Sequence, residues 1–358
     1  MKENRSAGQD PRFFDAASYD YILPGELIAQ YPVEPRDSSR LLVVDRSSGE
    51  IAHRSFQDIV SCLRKGDIMI LNDTRVIRAR LRGRKEGGEA LIEIFLLKPV
   101  SQPDSGEIAW EALVRPGKRV KPGKRVILNG NVPVTVMGEG RDGTRICCFP
   151  DGLDVMSYID KNGEIPLPPY IHNPFIDPER YQTVYSRSTG SVAAPTAGLH
   201  FTRRLLSKID GLGVLRKNIT LNVGLGTFRP VKVSDIRDHV MHREEGFIPE
   251  ETASEIMNKR NSGGRVVAVG TTAVRALESR TLEKGVLEAG PFSTDAFFYP
   301  GYSFRMVDVM ITNFHLPKST LLMLVAAFAG LELTMKAYRE AVAKKYRFYS
   351  FGDSMLIL

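Results

Sequence analysis

Four loops rich in Gly, Pro, Thr and His carry the side chains with the most chemical promise. Ala194-Pro-Thr-Ala-Gly-Leu-His-Phe-Thr202 holds Thr196, Gly198 and His200, and Gly224-Leu-Gly-Thr-Phe-Arg-Pro230 holds Gly224, Gly226 and Thr227. Gly270-Thr-Thr-Ala-Val-Arg275 supplies Gly270, Thr271, Thr272 and Arg275, and Asn313-Phe-His-Leu-Pro-Lys318 supplies Asn313 and His315. An imidazole titrates near neutral pH, so His200 and His315 are candidates for proton transfer. His200, in a Gly-Leu-His turn, reads equally well as a hydrogen-bonded structural residue, and the apolar neighbours of His315 lean further that way. A helix opening on Gly270-Thr-Thr presents backbone N–H groups suited to a carboxylate or a ribose hydroxyl. One such loop is commonly no more than a tight turn. Four in one domain point to a ligand, and three of them are expected outside the carboxyl ends of strands, where α/β proteins bind small molecules.

Two further carboxylates qualify by their surroundings. Asp295 lies in Ser-Thr-Asp-Ala-Phe-Phe and Asp308 in a hydrophobic strand. An unpaired carboxylate in such a place has a raised pKa and suits acid–base work, whereas an Arg partner would make it structural. Asp73 and Arg75, at the end of a buried strand, form either a substrate-binding pair or a salt bridge at a domain junction. Other motifs fail. Gly117-Lys118 and Gly123-Lys124 are followed by Arg125 rather than Ser or Thr, so no P-loop is present. Gly224-Leu-Gly226 lacks the third glycine of a dinucleotide fingerprint. His239 and His242, without Cys ligands or HExxH, make a weak zinc site, and no metal is expected.

The chain's 358 residues suggest two domains, and 42% hydrophobic with 25% charged residues is the balance of a globular protein. The longest uncharged apolar run, 321–329, is too short to span a bilayer. No apolar leader is visible in residues 1–11, and the 3 cysteines cannot frame a disulfide scaffold, so a reducing cytoplasm is expected. Net charge is +7, and residues 75–125 hold 13 Lys or Arg against 6 Asp or Glu, which accounts for all of it. A concentrated basic field suits a polyanion. Its densest part contains Arg115, Lys118, Arg119, Lys121, Lys124 and Arg125, with two Pro-Gly turns and no interleaved aromatics, which favours phosphate contact over base stacking. The plainer alternative is a charged strand edge that prevents aggregation.

The elements that must position these groups follow from the apolar pattern. Residues 1–17 read as a polar tail. A hairpin turns at 46–49, a capping box at Ser55 and Asp58 opens a short helix ending near Gly66, and 67–71 form a buried strand. Residues 76–150 contain short β-type runs at 76–82, 90–98, 109–115, 126–128, 132–137 and 145–149, with a tight turn at Asn129-Gly130, and predict a small all-β barrel. Helix and strand alternation returns after Pro150: a helix at 154–160, strands at 265–269 and 307–312, a helix from 271 to about 280, an apolar helix after Ser319 and an amphipathic one at 333–346. The predicted architecture is a mixed α/β domain of residues 18–75 and 151–358, interrupted by an inserted barrel of residues 76–150.

At these loops the sequence resembles the S-adenosylmethionine:tRNA ribosyltransferase-isomerase family of queuosine biosynthesis. The matching segments run from Tyr19-Asp-Tyr-Ile-Leu-Pro through Ala29-Gln-Tyr-Pro, Leu71-Asn-Asp-Thr-Arg-Val-Ile77 and Gly163-Glu-Ile-Pro-Leu-Pro-Pro-Tyr-Ile171. They continue with Tyr181-Gln-Thr-Val-Tyr185, the four loops above and the terminal Phe351-Gly-Asp-Ser-Met-Leu356. Arg78, Arg243 and Ser354 depart from the family pattern, which puts a role for Arg243 in doubt. The resemblance implies an α/β domain with an inserted barrel. It also implies transfer of the ribosyl part of S-adenosylmethionine onto the aminomethyl group of a 7-deazaguanine in tRNA. S-adenosylmethionine is then a consumed substrate rather than a cofactor, and no metal takes part. A sulfonium acidifies the neighbouring ribose carbon, so such chemistry needs a base. It also needs an acid near adenine, for which His200 and an Asp are the candidates. The competing readings are another S-adenosylmethionine-dependent RNA modifier and a non-catalytic RNA-binding protein, which would need the basic module but not the four loops.

Overall fold

The computed structural model describes residues 10–100, 108–140, 143–172, 177–224 and 231–358. The chain enters through β1 (Arg40–Val44), β2 (Ile51–Ser55) and β3 (Ile68–Asn72). Asp58 accepts from the Ser55 amide at 3.0 Å, the predicted capping box, but the helix it opens is a 3-10 run, Phe56–Cys62. Next come β4 (Thr74–Val76), β5 (Arg80–Lys85), β6 (Leu91–Val100), β7 (Ala109–Arg115), β8 (Arg125–Leu128), β9 (Val132–Glu139), β10 (Arg145–Cys148), helix α1 (Val155–Asn162) and β11 (Ser188–Ser191). The rest of the chain supplies α2 (Arg203–Gly211), β12 (Leu215–Leu221), β13 (Glu244–Ile248), α3 (Glu250–Asn261), β14 (Val266–Val269), α4 (Thr271–Ser279) and β15 (Gly290–Thr294). It ends with β16 (Val309–Asn313), α5 (Thr320–Ala329), α6 (Leu331–Ala343) and β17 (Ser354–Ile357).

Two compact units result. The first contains residues 1–74, 169–188 and 194–358, and the second 75–168 and 189–193. In the first, the described residues form a nine-stranded sheet of order β15-β13-β12-β3-β14-β16-β17-β1-β2. Its centre, β12-β3-β14-β16, is parallel. Alternate residues of each central strand enter different cores: Ile68, Ile70, Val266 and Ala268 pack with α4, α5 and α6, whereas Met69, Leu71, Val267 and Val269 pack with α2 and Phe56. Burial on both faces is why these strands read as unbroken apolar runs. No single helix among the described residues is long and apolar enough to cross a membrane.

The second unit holds a closed antiparallel barrel, β10-β7-β6-β5-β8-β9, which removes its own edges. The structure departs from the expected 76–150 boundary. Residues through Pro168 belong with the barrel because Tyr158 of α1 donates to the Asn129 carbonyl at 2.7 Å and Arg80 pairs with Glu164. Part of the expected tail of 1–17 is packed on the fold: Ala16 is buried with its amide on the Ser234 carbonyl at 2.9 Å.

Candidate active site

β14 and β16 run parallel as neighbours, and the Gly270 amide donates to the Ile311 carbonyl at 2.7 Å. Their carboxyl ends therefore deliver residues 270–272 and 313–315 to one place. Gly270 adopts a φ of 89°, open to glycine at no steric cost, and this turns strand directly into α4. No side chain among the described residues caps α4; the Gly270 and Ala273 amides are taken by the Ile311 and Gly270 carbonyls, which leaves those of Thr271 and Thr272 at the cleft. These two loops, Tyr170, residues 194–197 and Tyr349-Ser350 line a cleft. Thr196, Gly270, Thr271, Thr272, Asn313 and His315 thus come together. Thr272 Oγ1 and Asn313 Oδ1 are buried there without a hydrogen-bond partner among the described residues.

The two histidines separate. His315 lines the cleft, its Nε2 held by Thr312 Oγ1 at 2.7 Å and its amide by the Tyr338 hydroxyl at 3.0 Å. Burial pushes its pKa down to about 3, so the ring is neutral at pH 7. His200 does not line the cleft. Its Nδ1 lies 2.7 Å from Ser39 Oγ and its Nε2 3.3 Å from Asn313 Nδ2. Burial, with Arg347 and Arg36 nearby, lowers its pKa to about 3. Both nitrogens are thus engaged, and His200 turns no lone pair to the cleft.

The candidate carboxylates Asp295, Asp308 and Asp73 do not line the cleft. Asp295 is well exposed, 3.8 Å from Arg243, rather than enclosed in an apolar pocket. Asp308 precedes β16, at the opposite end from Asn313, and its carboxylate accepts from the Val266 amide at 2.8 Å. Asp73 is buried, but its partners are Thr220 Oγ1 at 2.7 Å and Arg187 Nε at 2.6 Å rather than Arg75. Gly198 also serves packing: a Cβ there would stand 2.1 Å from the Tyr185 hydroxyl oxygen. Arg275 is buried in an ion pair with Glu244, whose other oxygen accepts from the Gly224 amide at 3.2 Å. Gly226 and Thr227 lie outside the described residues. Among the described residues no group of three or more His, Cys, Asp or Glu is placed to hold a metal.

Tyr170, Tyr349 and Ser350 were not read from the sequence as site residues. The Tyr170 hydroxyl meets Ser350 Oγ at 2.6 Å, and its ring lies 4.7 Å from that of Tyr349. Tyr349 has φ 70°, uncommon for a residue with a side chain, and this turns its carbonyl onto Asn313 Nδ2 at 3.0 Å. In the barrel, Arg115, Lys118, Arg119, Lys121, Lys124 and Arg125 are all exposed, and Arg125 lies 3.8 Å from Glu86.

A cleft at the carboxyl ends of parallel strands, floored by unsatisfied polar atoms, defines an α/β small-molecule-binding protein with an inserted barrel. The chain belongs to the queuosine biosynthesis protein family, whose model matches residues 16–357. It is 52% identical over 343 residues to the S-adenosylmethionine:tRNA ribosyltransferase-isomerase of Symbiobacterium thermophilum, covering 96% of this chain and 99% of that protein. It is 49% identical over 349 residues to the enzyme of the same name from Dehalococcoides mccartyi, with 96% and 99% covered. The crystal structure of the S-adenosylmethionine tRNA ribosyltransferase from Thermotoga maritima matches with a TM-score of 0.54 at 40% identity, covering 95% of this chain and 100% of that one.

Proposed function

We infer that this chain is a transferase that moves and isomerises the ribosyl part of S-adenosylmethionine onto tRNA. The acceptor in this reading is the aminomethyl group of a 7-deazaguanine already in the tRNA, and the products are epoxyqueuosine-tRNA, adenine and methionine. The observation that carries it is the likeness of about half of all residues, over nearly the whole length, to enzymes of that name.

Several cleft residues support this reading. The amides of Thr271 and Thr272, with Thr272 Oγ1, suit the carboxylate of the methionyl part. His315, if Nε2–H donates to Thr312, presents the Nδ1 lone pair of a neutral ring as an acceptor for an N–H or O–H group of the substrate. Arg275 acts at a remove, holding the Gly224 amide in place through Glu244. Purified protein with S-adenosylmethionine and precursor-bearing tRNA should release adenine and methionine in equal amounts. Transfer of a labelled methyl group to the tRNA, or no adenine from competent substrate, would defeat this reading.

The exposed cations of the barrel are assigned to tRNA phosphates. Neutralising Lys118, Arg119, Lys121 and Lys124 together should weaken tRNA binding, with each lost contact lowering the log–log salt slope by about 0.7–0.9. S-adenosylmethionine affinity should stay constant, because the cleft is built from the other unit. An unchanged salt slope in the folded variant would leave these cations as a protected barrel edge.

A further inference from the structure

The amide of Asn313 can be oriented without ambiguity. The Tyr349 carbonyl, 3.0 Å from Asn313 Nδ2, can only accept, so that end of the side chain is the amino group. The same Nδ2 lies 3.3 Å from His200 Nε2. Its second hydrogen is donated there, so Nε2 must be the unprotonated nitrogen. His200 Nδ1 then carries the hydrogen and donates to Ser39 Oγ at 2.7 Å. Ser39, His200 and Asn313 are all buried, and Phe56 packs on the imidazole with ring centroids 4.9 Å apart. Both amino hydrogens of Asn313 are thereby spent, and its Oδ1, on a cleft-lining residue, is left buried and without a partner. A buried carbonyl oxygen held in this state is costly unless a ligand satisfies it.

We propose that His200 is a positioning residue: through its ring it fixes the Asn313 amide so that Oδ1 meets the cleft as an acceptor for an N–H or O–H group of S-adenosylmethionine. This rests on the reading of the cleft as the S-adenosylmethionine site. The donor is either the α-ammonium of the methionyl part or a ribose hydroxyl, which share that chemistry. Without the His200 acceptor, the amino group of Asn313 keeps only the Tyr349 carbonyl as a fixed partner, and Oδ1 is held less tightly in register.

Titration calorimetry with S-adenosylmethionine alone, followed by steady-state kinetics, tests this. Asn313→Leu should weaken binding roughly 10- to 100-fold, the range for leaving a buried hydrogen-bonding group unpaired. His200→Leu should weaken it about 10-fold, and His200→Gln, whose side-chain oxygen can accept in place of Nε2, should recover most of that loss. An analogue lacking the amino group, and one lacking the ribose hydroxyls, identify the donor: the one missing it should bind wild type and Asn313→Leu alike. A purely structural role for His200 would lower the melting temperature of His200→Leu without moving the affinity of its folded fraction. Equal affinity across wild type, Asn313→Leu and His200→Leu would overturn the assignment. A loss of about 100-fold in kcat for His200→Gln with unchanged affinity would return the ring to proton transfer and overturn it too. Failure of wild type itself to bind S-adenosylmethionine would instead strike the reading of the cleft.

Discussion

Replacing Glu244 with alanine should cost the fold about 3–5 kcal/mol, the range for removing one member of a buried ion pair. The side chains of Arg275 and Glu244 are only 3% and 4% exposed, so neither charge has water to fall back on. Arg275 Nε and Nη2 are already buried without partners, and the carboxylate is what remains to balance the guanidinium. The substitution also strips the Gly224 amide of its acceptor. Urea unfolding should show a lower midpoint at an unchanged slope. Glu244→Gln keeps an acceptor for Gly224 but not the charge, and should fall between alanine and wild type. Asp295→Asn, which breaks the exposed pair with Arg243, should leave the midpoint where it was. A Glu244→Ala variant within about 1 kcal/mol of wild type would mean that the pair is compensated elsewhere.

The contrast between those two pairs shows what the sequence could and could not say. Apolar runs made the central strands β3, β14 and β16 and the barrel strands legible, because burial on both faces or strict alternation leaves a pattern. β12, β13 and β15 went unread. Leu215-Arg-Lys-Asn-Ile-Thr-Leu221 mixes charge with apolar residues, and Glu244-Glu-Gly-Phe-Ile248 begins with two acids, one buried against Arg275 and one exposed. Tertiary pairing, not propensity, makes these segments strands.

The site was legible as loops but not as roles. The glycine and threonine turns after β14 and β16 were found because strand ends in α/β sheets are where ligands bind. What the sequence could not show is which atoms are already spent. Ser39 stands 161 residues from His200, and Asn313 stands 113 away. Only the fold brings them to its two nitrogens. The place of Asp308 is hidden for a related reason: a strand has two ends, and the apolar pattern does not say which end faces the cleft.

The spent nitrogens also make stability depend on pH. His200 and His315 are held neutral in the native state, with pKa values lowered to about 3, first of all by burial. Protonating His200 Nε2 would also set it against the Asn313 amino group that now donates to it. In the unfolded chain both titrate near the ordinary value of about 6.5. Above that pH neither state binds the protons and these residues add no slope. Between about 6.5 and 3 the unfolded chain binds two protons that the native state refuses, so stability falls as pH falls. The loss from the pair should reach about 4 kcal/mol between pH 7 and pH 5. Asp353 works in the opposite sense, because burial raises its pKa and the native state protonates it before the unfolded chain does. Its contribution appears as pH falls toward the ordinary aspartate range and offsets part of the histidine loss only there. Urea midpoints at pH 7, 6 and 5 should therefore drop steadily for wild type and by about half as much for His200→Gln, which keeps one of the two titrating rings. A flat wild-type profile across that interval would show that one or both rings take up a proton without unfolding. The Asn313 amide would then have to turn its oxygen toward His200 and away from the cleft.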